Sequence, residues 1–165
     1  MITFCCPEQG HISFYLSLHW FIIILIQQIT YSSKVKACDR FRVTGSKDAA
    51  AAFHSIWPSH EHIEFIYMLM LNRQNQVLGC HQISKGGMTG TVVDVRVVFQ
   101  VALKSCATSI IVAHNHPSGN LEPSDADKKI TRQLTEAGRM LEIPVIDHLI
   151  LTTDCFLSMA DEGYL

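Results

Sequence analysis

Hydrophobic positions fall along the chain in two regimes. Through Phe14 to Ile26 (FYLSLHWFIIILI) they run almost without interruption, whereas from Lys34 onward they recur at spacings that separate strands from helices. Glu64 to Leu71 (EFIYMLML) reads as a strand bounded by the turn-forming Asn72-Arg73-Gln74-Asn75, and Val77 to Ile83 returns as its hairpin partner. A helix is predicted before it, from Ser46 as N-cap through Asp48, the alanine run and Phe53 to about Trp57, ended by Pro58. Gly86, Gly87 and Gly90 make a flexible loop. Val97, Val98, Val101 and Ala102 then mark one side of a helix from about Asp94 to Ser105, and Ser109 to Ala113 is a short buried strand after which His114 begins a loop. The best-defined helix runs from Asp125 to about Leu141, with Ile130, Leu134, Ala137 and Leu141 at core spacing and Ile143-Pro144 as its stop. Val145 to Leu151 is the last strand, followed by a polar tail with Asp154, Ser158, Asp161 and Gly163. Strands and helices interleave around an antiparallel hairpin, so an α/β fold with a mixed sheet and helices packed on it is expected.

Composition narrows the class. The 165 residues suit one domain, and 48% hydrophobic with 17% charged residues excludes disorder and collagen-like or mucin-like chains. A net charge of -2 gives no global field toward phosphate or anionic membranes, so DNA binding is expected to be weak and salt-sensitive at most. Residues 1–33 carry a single charged side chain, Glu8, and all thirteen Lys and Arg lie beyond them, which sets an apolar extension apart from a domain over 34–165. The uninterrupted part of that extension, Trp20 to Ile26, is shorter than the about 20 residues a span requires, and no basic n-region or cleavage site makes it a signal peptide. An added buried element, a poor membrane anchor and an extension outside the fold stay open. Six scattered cysteines without a C-x-x-C pair fit a reduced cytoplasmic protein, with Cys5 and Cys6 as ordinary thiols.

The chemistry concentrates in His114, His116 and Asp127. Two histidines at i and i+2 leaving a strand share a side if the backbone stays extended, and a carboxylate arrives from the first turn of the next helix. Such an N and O set suits zinc and leaves a fourth tetrahedral position for water, the pattern of a catalytic site. By spacing alone the histidines could equally hydrogen-bond loop backbone. Ser124 and Asp127 likewise resemble a capping box with Asp in place of Glu or Gln, a role compatible with metal ligation.

Glu64 followed by His114-x-His116-Pro117-x(6)-Ser124-x-x-Asp127 resembles the JAMM (MPN+) metalloprotease motif, and HNHPSG, PSDAD, VIDH and SMADEG resemble its bacterial branch, the RadC family, over roughly Val35 to Leu165. The resemblance implies an αβα fold with a zinc site at the sheet edge. It implies zinc held by His114, His116 and Asp127, Glu64 as general acid/base and Ser124 as a donor to the oxyanion. By analogy Asp147-His148 would stand beside the zinc site. Deubiquitinating relatives often carry Ser or Thr where this chain has Asn115, and the RadC branch brings no established ubiquitin-type substrate. Longer RadC-like proteins begin with a DNA-associated helix-hairpin-helix segment, which residues 1–33 do not resemble.

Rival sites fare worse. His60-Glu61-His62 lies in a polar loop without further ligands at suitable spacing, and reads as surface. HNH nucleases spread those residues over a ββα unit, and a zinc deaminase needs H-x-E with P-C-x-x-C, absent here. The expectation is a zinc-dependent hydrolase acting on an amide or isopeptide bond of a peptide or protein. The alternative is a non-hydrolytic DNA-associated or scaffold protein that keeps zinc for structure.

Overall fold

The structure, a computed structural model, describes residues 35–57, 63–86 and 93–165. Residues 1–33 with Cys5 and Cys6, Pro58, His60-Glu61-His62, and Gly87 and Gly90 lie outside the described residues. Among those described, helix α1 (Ser46–His54) precedes the hairpin β1 (Phe65–Leu71) and β2 (Val77–Lys85). Helix α2 (Val95–Lys104) leads into β3 (Ser109–Asn115), helix α3 (Asp125–Met140) into β4 (Val145–Leu151), and β5 (Phe156–Ser158) follows. The five strands form one sheet in the order β2-β1-β3-β4-β5, with β3 and β4 parallel and the other pairs antiparallel.

Both faces of this sheet are covered, which explains the nearly continuous apolar runs of its central strands. Alternation sends Leu69, Leu71, Ile111 and Ala113 to the face where Ala49, Ala50 and Phe53 of α1 pack. Ile66, Met68, Met70, Ile110 and Val112 face the opposite side, against Val98, Phe99 and Ala102 of α2 and Leu134 of α3. Asp147 and His148, consecutive on β4 and paired in regular register with Ile111 and Val112, fall on opposite faces by alternation. The mixed α/β sheet flanked by helices matches the expected architecture.

Several boundaries differ from the sequence reading. Ser46 is the first helical residue of α1 and Gly45 occupies its cap position, while the Asp48 carboxylate accepts from the Thr44 amide at 2.8 Å and from the Thr44 hydroxyl. The helix ends at His54, short of Trp57, with Ser55 as its C-cap and the Ser55 hydroxyl on the Ala52 carbonyl. Strand β1 begins one residue after Glu64. Strand β3 continues through His114 and Asn115, so His114 does not open the loop: its side chain is buried, and Ile66 pairs with it across the ladder. The polar tail contains β5, tied down by Asp147, whose carboxylate accepts from the Ser158 hydroxyl at 2.7 Å and the Ala160 amide at 3.1 Å. No helix among the described residues is long and apolar enough to cross a membrane.

Gly138 marks a close approach on α3. A Cβ there would lie 2.6 Å from the Ile143 carbonyl oxygen and 3.3 Å from the Phe99 ring. Alanine would favour the helix by about 1 kcal/mol, yet the overlap with backbone should reverse that sign. Gly138→Ala is expected to lower stability by about 1 to 3 kcal/mol in denaturant titration, as overpacking does; a stabilised variant would contradict this packing.

Candidate metal centre

The end of β3, the turn after it and the first turn of α3 supply the three ligand candidates. His114 lies on the α3 side of the sheet, continuing the alternation of Ile110 and Val112. His116 follows the strand and its amide remains bonded to the Leu151 carbonyl at 3.0 Å, so the chain leaves the sheet in a fixed direction. Pro117 and Gly119, the latter at φ 76°, form the turn closed by the Gly119 amide on the His116 carbonyl at 3.0 Å. Asp127 arrives at the third position of α3, where Ser124 caps the helix. Ser124 Oγ accepts from the Asp127 amide at 3.2 Å and donates to Asp127 Oδ2 at 2.6 Å, while the Ser124 amide donates to that same oxygen at 2.8 Å.

The three side chains stand at the spacing of zinc ligands, with the two contacts of Asp127 made through different carboxylate oxygens. His114 Nε2 and His116 Nε2 are 3.0 Å apart; Asp127 Oδ1 is 3.3 Å from the first and Oδ2 is 3.5 Å from the second. With zinc–ligand bonds of about 2.0 to 2.1 Å, neighbouring ligands of a tetrahedron stand about 3.3 Å apart. This is the one group of three or more metal-capable side chains among the described residues.

The hydrogen bonds behind the histidines decide where their protons sit. His116 Nδ1 meets the Asn120 carbonyl at 2.6 Å; a carbonyl only accepts, so Nδ1 carries the proton and, in the neutral ring, Nε2 offers its lone pair. On the other side, Thr131 Oγ1 donates to the Asp127 carbonyl at 2.6 Å and has no second proton for His148 Nδ1, also at 2.6 Å. His148 therefore donates from Nδ1, accepts at Nε2 from His114 Nδ1 at 2.8 Å, and leaves His114 Nε2 as a lone pair. Burial pushes the fully enclosed His148 down to about 3, which keeps it neutral and able to accept. Two lone pairs and a carboxylate aimed at one point repel each other unless a cation or a proton lies among them. The donor set fits a divalent metal that takes imidazole and carboxylate.

With protons on the two imidazoles in the place of a cation, the same groups act on one another as ion-pair partners. Burial works to raise Asp127, but hydrogen bonds from His114 and His116, the His114 charge and the Ser124 hydroxyl outweigh it and hold the carboxyl well below the usual range. The hydrogen bond to Asp127 raises His116 against the opposing effect of burial. Glu64, half-buried just before β1, is raised by desolvation; His114 and His116 pull it down and Asp127 pushes it up, so its carboxyl shares the field of all three ligands.

The structure thus brings His114, His116, Asp127, Ser124 and Glu64 to one locality. It separates Asp147 from His148: His148 backs His114, while Asp147 faces the other way and holds the C-terminal segment. Thr131 is the participant that sequence reasoning missed. Its position four residues after Asp127, on the same helical face, was the available signal.

Comparison with known proteins places these features in a family. The family model for the RadC-like JAB domain matches residues 43–164. A UPF0758 protein of Flavobacterium johnsoniae is 47% identical over 122 residues, covering 74% of this chain and 53% of the relative. One from Symbiobacterium thermophilum is 39% identical over 117 residues, or 70% of this chain and 50% of its own length. Another, from Salinibacter ruber, is 39% identical over 127 residues, 77% of this chain and 54% of the relative. The chain spans about half the length of these curated relatives.

Proposed function

We propose that this chain, which belongs to the RadC-like JAB domain family, is a zinc-dependent hydrolase of amide or isopeptide bonds in a peptide or protein. The observation that carries the reading is the convergence of His114 Nε2, His116 Nε2 and the Asp127 carboxylate at contacts of 3.0, 3.3 and 3.5 Å, with Glu64 in the field of all three. Zinc held by His114, His116 and Asp127 would polarise a carbonyl and lower the pKa of a water toward about 7. Glu64 accepts the proton of the attacking water and delivers it to the leaving amine, a role suited to a carboxyl tuned upward. His148 and Thr131 hold His114 in the tautomer that presents Nε2. A scaffold using zinc only for structure needs neither a carboxyl in the field of the ligands nor an open fourth position, and this distinction favours the enzyme. The same reading assigns the protein to the cytoplasm, where Cys38, Cys80, Cys106 and Cys155 stay as free thiols.

A diverse peptide library incubated with zinc-loaded protein tests the reading. Cleavage that disappears on chelation and returns with zinc is expected; no cleavage at any sequence would favour the scaffold.

Ser124 has two roles to divide. Its single hydroxyl proton goes to Asp127 Oδ2 here, so donation to an oxyanion requires that bond to be exchanged. If capping and carboxylate orientation are the whole role, Ser124→Ala should cost about 1 kcal/mol in stability, and Ser124→Gly should restore most of it with turnover retained. An oxyanion role predicts that both variants lose roughly a hundredfold in turnover irrespective of stability. We expect the second outcome; a stable, fully active Ser124→Gly protein would leave capping alone.

A further inference from the structure

We propose that Asn115, the residue between the two histidines, is a positioning residue that locks Glu64 to the strand carrying the metal ligands. The backbone ladder between β1 and β3 ends at the pair Ile66 and His114. One residue farther on, the Asn115 side chain takes over: Oδ1 accepts from the Phe65 amide at 2.7 Å and Nδ2 donates to the Ile63 carbonyl at 3.0 Å. These bonds bracket Glu64, one on the residue before it and one on the residue after. The Glu64 carbonyl itself accepts from the Gly86 amide at 2.8 Å, which secures the same segment from the β2 side.

A carboxamide suits this place because it reproduces the donor and acceptor of a peptide group in one plane. Asp keeps the acceptor and loses the donor; Ser or Thr offers one proton on a shorter stem; Ala offers nothing. Asn115 is fully buried, so water does not replace either bond. Alternation directs His114 to the α3 side and Asn115 to the other, so one strand end supplies ligands on one face and fastens the base from the opposite one. Fixing a reacting group this way matters because displacement of about 1 Å can cost on the order of a hundredfold in rate.

The inference rests on the reading of Glu64 as general base, and its test separates the two. Asn115→Asp and Asn115→Ala are made in the full chain, the first as the milder change should the second fail to fold. Amide hydrogen exchange at Phe65, followed by NMR with and without zinc, is expected to accelerate at least about tenfold in Asn115→Ala, the factor that the loss of one hydrogen bond corresponds to, and less in Asn115→Asp, which keeps the acceptor for that amide. In cobalt-loaded protein, paramagnetic relaxation of the carbon-13-labelled Glu64 carboxyl should weaken relative to the unaltered chain while metal stoichiometry is kept. On any substrate from the library, kcat should fall about ten- to a hundredfold with KM little changed, and less for Asp than for Ala. Unchanged exchange at Phe65 in Asn115→Ala, or undiminished relaxation at Glu64 in either variant, would overturn the clamp whatever the turnover. A protein that binds metal but cleaves nothing would sink the hydrolase reading and leave the exchange and relaxation results to decide on Asn115.

Discussion

Glu64→Gln is expected to fold normally, hold about one zinc per chain and lose 10² to 10⁴ in turnover, roughly the contribution of a positioned general base. The substitution preserves size and hydrogen-bonding capacity while removing the group that accepts the proton. The surroundings of Glu64 suit a base, since desolvation raises its pKa and His114, His116 and Asp127 all act on its charge. The segment that carries it enters β1 through Phe65, whose neighbour Ile66 pairs with His114, so the base and a metal ligand stand at the same end of adjacent strands. Glu61 lies outside the described residues, and Glu61→Gln serves as the control, with turnover expected to change little. Kinetics of both variants on one cleaved peptide decide the matter. The reverse order of loss would move the base to Glu61.

The second large effect concerns the ligands. His114→Ala and Asp127→Asn should both be largely metal-free by elemental analysis, against about one zinc per chain in the unaltered protein, because a three-ligand site has no spare donor. Asn at 127 keeps an oxygen for the Ser124 amide, so the helix start should survive and the loss can be assigned to the metal. Thr131→Val gives a graded control. It frees His148 from its hydroxyl partner without removing a ligand, and should weaken zinc binding by about 10- to 100-fold in competition with a chelator, the usual range for groups that orient a ligating histidine. Full occupancy in both ligand variants would place the metal elsewhere.

Much of this was legible in the sequence for a physical reason. The sheet is buried on both faces, so β1, β3 and β4 appear as apolar runs that no loop would carry, and α3 keeps Thr131, Leu134 and Gly138 on one face. His114, His116, Ser124 and Asp127 stood out because their spacing matches ligands leaving a strand and entering a helix. Polar residues that are buried by partners were harder to place. His114 and Asn115 read as loop, yet both lie on β3 with their polar atoms engaged by His148, Phe65 and Ile63. β5 escaped because three residues carry no periodicity, and it is held by pairing to β4 and by Asp147. Thr131 looked like any helical threonine; its role depends on His148, seventeen residues away in the chain.

The most direct test of an open, three-ligand zinc centre is the zinc K-edge X-ray absorption spectrum of the zinc-loaded full chain. The geometry predicts a shell of nitrogen and oxygen alone at about 2.0 to 2.1 Å, with outer scattering from two imidazoles and the remaining position filled by solvent. A sulfur neighbour at about 2.3 Å, or a third imidazole closing the coordination sphere, would contradict it and make the metal structural.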